Sequence, residues 1–325
     1  MPPDFNLDFD EPTATVQQVA PGLRRVIAKN PSRFTFRGTG TYIVGSGTSV
    51  AVIDPGPTID SHLEALMNAV AADEVTHVLV THTHRDHSPL ATPFARKTGA
   101  LTYGFGPHGS MPEPDPTDTI DFGIDDADEV EASAGDSQDE DHHDDGGFDA
   151  DFDPDVRLVD GDVIAGDGWT IEAVHTPGHT SNHLCFAWDE GASLFSGDHV
   201  MGWSSTVISA PDGNMSQYMS SLHKLLERSE ATYWPTHGAP ITNPSKHVSD
   251  LVQHRLNREN QILEQLSTGV HTIQEMVPTL YAAVHKKLWP AAARSVHAHL
   301  LGLVDKGAVV SESGTNRLTD RYSLT

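Results

Sequence analysis

The first clear β pattern begins at Thr41. Thr41-Tyr42-Ile43-Val44 and Val50-Ala51-Val52-Ile53 are β-branched and aromatic runs separated by Gly45-Ser46-Gly47-Thr48-Ser49, and Asp54-Pro55-Gly56-Pro57 stops the second run. This predicts a hairpin. Ile59, Leu63, Leu66, Met67 and Val70 recur at helical spacing, predicting an amphipathic helix over about residues 58–72. His77-Val78-Leu79-Val80 reads as a buried strand. Ser88-Pro89 reads as an N-cap with proline at the first helical position, opening a helix to about Lys97. Further strands are predicted at Trp169–Val174, Leu184–Trp188, Ala192–Phe195 and Ala231–Trp234, with a helix over 216–228. Strands and helices thus alternate in two batches, 41–97 and 157–228, as expected for an α/β protein with sheets sandwiched between helices.

From about Ser249 the pattern is mainly helical. A helix over 251–266 is followed by Thr272-Ile273-Gln274-Glu275, a capping box, and by an apolar face of Ile273, Met276, Val277 and Leu280. A third helix over 291–306 ends at Gly307. Ala308-Val309-Val310 and the run 317–323 can pair as a hairpin. Three helices and a hairpin follow the winged-helix order, so the expected domains are 1–248 and 249–325.

Length and charge refine this picture. The chain has 325 residues, enough for one large and one small core, and a formal charge of −26. The charge is local: residues 113–155 carry 19 of the 46 acids, and no Lys or Arg lies between Lys97 and Arg157. Residues of about 113–150 are poor in large apolar side chains and are expected to form a disordered acidic insertion. His142 and His143 lie within it and read as solvated filler. The charge argues against broad affinity for nucleic acid. There is no run of eighteen apolar residues, and the acidic start lacks the pattern of a secretory signal, so a cytoplasmic protein with no membrane partner is expected. The single cysteine, Cys185, sits in an apolar run and is expected to be a buried small hydrophobe.

The chemistry concentrates at strand ends. His82, His84, Asp86 and His87 fall within six residues after a predicted strand. On an extended loop, side chains at i and i+2 point the same way, so His82 and His84 can grip one metal while Asp86 and His87 face a second. His175-Thr176-Pro177-Gly178-His179-Thr180, Ser196-Gly197-Asp198-His199 and Pro235-Thr236-His237-Gly238 follow three other strands. His175 and His199 read as packing residues. His183 reads as a group behind the ligands or touching substrate. His223, His254, His297 and His299 lie on predicted helices and read as ordinary.

HTHRDH, TPGHT, SGDH and THG, in this order and preceded by Asp54, resemble the five-motif signature of the metallo-β-lactamase superfamily over about residues 15–245. The resemblance implies an αββα sandwich and a hydrolase that uses a hydroxide bridging two metals. It implies one metal on His82, His84 and His179, a second on Asp86, His87 and His237, and Asp198 shared by both. It makes Asp54 a carboxylate that orients the His-rich loop, and Asp86 the candidate proton acceptor. Thr236 stands where the family more often has glycine. Nitrogen and oxygen ligands without a thiolate suit two zinc ions best and are compatible with iron or manganese.

A winged-helix tail, with Met201-Gly202-Trp203-Ser204-Ser205-Thr206 after Asp198, resembles the β-lactamase-like protein 2 group. That resemblance implies an endoribonuclease-like phosphodiesterase acting on single-stranded RNA. The other expectation is hydrolysis of a small ester, a thioester (as in glyoxalase II) or a lactam. The tail is only mildly basic, so it is expected to pack or to form a homodimer rather than read nucleic acid; Trp289 is a core residue or a base-stacking one.

Overall fold

A computed structural model describes residues 3–109, 115, 117–123 and 147–325. Two compact units emerge: Met1–Met111, Asp145–Thr206 and Asp212–Arg255 form one, and Pro112–Asp144, Val207–Pro211 and Leu256–Thr325 the other.

The first unit contains two sheets. Strands β1 (Val16–Ala20), β2 (Leu23–Ile27), β3 (Gly40–Ser46), β4 (Ser49–Ile53), β5 (Val75–Leu79), β6 (Leu101–Gly104) and β7 (Val156–Arg157) lie side by side in chain order. The first four are antiparallel, and β4 to β7 are parallel. The second sheet has the order β12 (Thr232–Pro235), β11 (Ser193–Gly197), β10 (Leu184–Trp188), β9 (Trp169–His175), β8 (Val163–Gly166). Alternation along each strand decides which side chains meet. Tyr42, Val44, Ala51, Ile53 and Leu79 of the first sheet bury against Trp169, Ile171, Leu184, Phe186 and Phe195 of the second. Ile43, Val50, Val52 and Val78 point the other way, onto Leu66 of α1 (Asp60–Ala69) and Phe94 of α2 (Ala91–Thr98). Helix α3 (Met215–Leu226) is fastened to the second sheet's side: Tyr233 donates to the Leu225 carbonyl, and Ser221 donates to that of Pro177. The chain is an αββα sandwich, as expected.

Several local expectations need correction. Ser88 does not cap α2, which begins at Ala91 after an uncapped Leu90. The Ser88 hydroxyl is instead donated to the Asp149 carboxylate at 2.8 Å. Strands β1, β2 and β6 differ from the sequence reading because they mix polar and apolar positions without a clear run, and β8 differs because it is only four residues long. The acidic insertion is not structureless throughout. Gly147–Asp149 pairs with the His-rich loop, through Arg85 N to Gly147 O at 3.1 Å and Asp149 N to Thr83 O at 2.8 Å. Asp118 accepts the backbone N–H groups of Leu318 and Thr319, and Asp115 pairs with Arg317. These acids satisfy specific donors, which composition alone does not reveal. The middle of the expected insertion, with His142 and His143, lies outside the described residues.

The second unit is a winged helix. Helix α4 (Pro244–Ser267) runs into it, followed by α5 (Ile273–Leu280), α6 (Trp289–Asp305) and the wing β13 (Val309–Ser311) with β14 (Tyr322–Leu324). Both halves of the capping box are present at Thr272 and Glu275. Ile262, Met276, Val277, Val296, Leu300 and Tyr322 form its core, and Trp289 and Phe122 pack against it. Trp289 is therefore a partly buried residue at the margin of this core.

Candidate metal centre

The catalytic-type side chains sit on the loops that leave β4, β5, β9, β11 and β12. Asp54 ends β4 at a left-handed φ of 49°. It is a buried hub. One carboxylate oxygen accepts Thr81 N at 2.8 Å. The other accepts the Thr81 hydroxyl at 2.8 Å, His87 Nδ1 at 2.9 Å and the Thr236 hydroxyl at 3.1 Å. Thr236 thus earns its place in the THG turn by donating to Asp54. Two loops are thereby tied to one carboxylate.

These bonds assign tautomers. The Thr81 hydroxyl spends its proton on Asp54, so at 3.0 Å it accepts the Nδ1 proton of His82. That leaves the Nε2 lone pair of His82 pointing into the site. His87 donates Nδ1 to Asp54 and turns Nε2 inward, and His237 donates Nδ1 to the Gly38 carbonyl at 3.2 Å. Gly38 itself has φ 127°, and a Cβ there would lie 2.1 Å from the Ala28 carbonyl oxygen, so only glycine allows this approach.

The inward atoms form three overlapping sets, each mutually within 4.8 Å: His82, His84 and His179; His82, His87 and Asp198; Asp86, His87 and His237. His82 Nε2 lies 2.8 Å from His84 Nδ1, and His179 Nε2 lies 3.1 Å from that same atom. Asp198 reaches His87 at 3.6 Å, His179 at 3.8 Å and His237 at 3.4 Å, which places it among both groups. Asp86 lies 3.3 Å from His87 and 3.1 Å from His237. All seven residues expected as ligands are therefore brought together, with Asp54 behind them.

The electrostatics divide the cluster. Burial, reinforced by His87 and the other neighbouring imidazoles, holds His82 well below its ordinary pKa; burial and His179 bring His84 down to about 3. These two are held neutral, with His82 Nε2 and His84 Nδ1 turned towards each other. Burial opposes charge on His237 too, yet Asp198 and Asp86 raise it to about 10. Burial disfavours ionised Asp86, but His87 and His237 outweigh it and keep the carboxylate well below its usual range. Among the described residues, buried His87 Nε2 and Asp198 Oδ1 have no hydrogen-bond partner. Converging ring nitrogens, anionic carboxylates and orphaned polar atoms are the signature of a cation site, so the donor set fits metal binding.

Other histidines have structural duties. His183 lies directly behind Asp198: its Nε2 accepts Asp198 N at 3.2 Å, and its Nδ1 meets the Thr176 hydroxyl at 2.9 Å. His175 bonds the Ser181 carbonyl and stacks on Phe105. His199 is buried against Tyr218. Gly178 in TPGHT has φ 140°, and a Cβ would meet the Tyr218 Cα at 2.3 Å, so this turn lies directly on α3.

Four contributors escaped the sequence reading. His62 is buried with Nε2 2.9 Å from the Thr41 hydroxyl, which in turn donates to the Asp54 carbonyl. Thr39 donates to Asp86 at 3.4 Å. Gly38 orients His237. Phe148 stacks on His84 at 4.8 Å and on His108 at 3.6 Å. Thr81, next to His82, had a positional hint; Phe148 had none, buried as it is in an acidic run.

Residues 35–237 match the metallo-beta-lactamase superfamily, and residues 272–317 match the beta-lactamase associated winged helix domain. The chain belongs to the metallo-beta-lactamase superfamily of hydrolases. Among curated relatives, the beta-lactamase-like protein 2 homolog of Drosophila melanogaster is 29% identical over 92% of this chain and 93% of its own. The atrochrysone carboxyl ACP thioesterase nsrC of Aspergillus novofumigatus is 29% identical over 83% of this chain and 74% of its own. A beta-lactamase domain protein from Burkholderia ambifaria has the same fold, with a TM-score of 0.73 at 19% identity over 99% of this chain and 97% of its own.

Proposed function

We propose that this protein hydrolyses acyl thioesters at a binuclear metal site. His82, His84 and His179 would hold one ion, Asp86, His87 and His237 the other, and Asp198 would serve both. Two zinc ions suit a donor set of nitrogen and oxygen without thiolate. Bound metals would supply an acidified water and a polarised substrate carbonyl. The protein supplies the rest. Asp86, beside His87 and His237, is the group placed to take a proton from the attacking water. Asp54 fixes the His-rich loop, and the turn after β12, so that ligand geometry is set before substrate arrives. Water adds to the carbonyl carbon, the C–S bond breaks, and the thiolate leaves with the acyl group released as a carboxylate.

The observation that favours a thioester over RNA is the bonding of Gly147–Asp149 to the His-rich loop. This fastening sets Asp149, which belongs to the most acidic stretch of the chain, beside the His-rich loop. A phosphodiester backbone crossing there meets like charge. Three cations of the winged helix are also engaged: Lys306 with Glu259, Arg317 with Asp115 and Asp118, Arg321 with Glu312. The thioesterase-named relatives support the same reading.

Metal-loaded full-length protein should be assayed against an acyl-coenzyme A, S-lactoylglutathione, a chromogenic β-lactam and single-stranded RNA. Thioester cleavage with intact RNA is expected. RNA cleavage with intact thioesters overturns the proposal in favour of an endoribonuclease-like phosphodiesterase.

A further inference from the structure

Between Glu11 and Asp54 the chain has no acidic residue and carries five cations, in a protein of net charge −26. Arg24 is paired with Asp73, and Arg25 is buried over Phe9. The other three, Lys29, Arg33 and Arg37, are exposed, and none has an ion-pair partner among the described residues. All three lie on or beside one loop, residues 30–39.

This loop is built to hold its shape. Asn30 closes its neck by bonding Thr39 through both side-chain atoms, at 2.9 Å each. The Ser32 hydroxyl accepts Phe34 N and Thr35 N, and Gly38 N donates to the Thr35 carbonyl. Phe36 sits at a left-handed φ of 57° and stacks on Trp203 at 4.8 Å, with ring planes 8° apart. The Arg37 guanidinium lies 5.4 Å from the centre of the Phe36 ring, and Arg33 lies over Phe34. Holding an aromatic residue in the left-handed region costs energy, and such strain concentrates where a side chain has to be placed.

The loop also ends in the metal centre. Gly38 accepts His237 Nδ1, and Thr39 touches Asp86. The Phe36–Trp203 stack abuts Gly238: a Cβ on that glycine would lie 3.1 Å from Trp203 and 3.7 Å from Phe36. A rigid, cation-tipped aromatic platform therefore stands at the His237 side of the site, and Asp149 at the His84 side. One-sided positive charge suits a substrate with a charged group at one end only.

We propose that Lys29, Arg33 and Arg37 bind the phosphate end of the substrate's leaving thiol, as carried by coenzyme A and other phosphopantetheine thiols. This rests on the thioester reading above. Guanidinium groups favour phosphate through paired N–H donors, and stacking on Phe34 and Phe36 limits the freedom lost on binding.

The test compares wild type with the double variant Arg33→Glu, Arg37→Glu in the metal-loaded full chain. The same acyl group is presented on coenzyme A, on glutathione and on uncharged N-acetylcysteamine. Wild type should prefer the coenzyme A ester. The variant's ratio of kcat/KM for coenzyme A over N-acetylcysteamine should fall by about tenfold or more, mainly through KM. Charge-retaining Arg33→Lys, Arg37→Lys should recover part of it. A ratio unchanged within twofold overturns the proposal, and loss confined to the glutathione ester overturns it in favour of a carboxylate site. Binding of free coenzyme A, followed by calorimetry, separates this from the catalytic reading. If no thioester is hydrolysed, weaker coenzyme A binding by the variant still supports the phosphate site, and equal binding by both proteins refutes it.

Discussion

Asp54 Oδ2 accepts His87 Nδ1 at 2.9 Å and, from the far side of the site, the Thr236 hydroxyl at 3.1 Å. One carboxylate thus aligns a ligand from the loop after β5 with the turn that carries His237. Replacing it by Asn keeps size but removes the charge and turns one oxygen into a donor. Asp54→Asn should weaken zinc binding by about 10–100-fold, the range for partners that orient ligands. Competition with a fluorescent chelator measures this. Wild-type affinity in a folded Asp54→Asn protein would remove Asp54 from the account.

Phe148 should matter although it holds no metal. Its ring is stacked between those of His84 and His108. Phe148→Ala frees His84 to rotate and should weaken metal binding by about tenfold, with Phe148→Tyr close to wild type. The same chelator titration decides. Equal affinities for all three proteins would show that backbone pairing of Gly147–Asp149 is sufficient by itself.

How far the chain announces itself differs between these two residues. Asp54 follows a clean strand and stops at Pro55-Gly56, so its place was legible. The His-rich loop, His179, Asp198 and His237 were legible for the same reason: each is a ligand-type side chain at the end of an apolar run. Phe148 is not legible, because its partner lies 64 positions earlier and its neighbours are all acidic or glycine. The Gly38 carbonyl is invisible too, since orienting His237 takes a backbone atom and a left-handed turn rather than a side-chain type. Strand β2 was missed because Arg24 and Arg25 interrupt it; Arg25 is buried by its bonds to Gln17 and its position over Phe9, a tertiary arrangement no local pattern encodes.

His62 makes acid stability depend on pH. It is completely buried, and burial lowers it from 6.5 to about 4. The unfolded chain takes up this proton below pH 6.5, while the folded chain resists until about pH 4. The contribution to stability is therefore present above 6.5 and is lost as pH falls through 4, amounting to about 3 kcal/mol at most. Denaturant unfolding of metal-free protein at pH 7 and pH 4.5 should show a smaller loss in His62→Asn than in wild type. Equal losses would mean that His62 is protonated in the fold.

Cys185 should be inert in the native protein. Burial pushes its thiol up to about 12, and the side chain is sealed between the Thr176 hydroxyl and the Ser196 carbonyl. Ellman's reagent should find no thiol in folded protein and one per chain in denaturant. Rapid reaction of folded protein would place Cys185 at an open surface. An unreactive cysteine also leaves the reagent free to report thiol released from substrate.

Thiol release is the most direct measurement of the central claim. Full-length zinc-loaded protein is given an acyl-coenzyme A, and free thiol is followed before chelation, after chelation and after zinc is restored. The account predicts steady release that stops on chelation, returns with zinc, and is absent from Asp198→Ala. Release that persists without metal, or no release by a metal-loaded protein that cleaves single-stranded RNA, would contradict it.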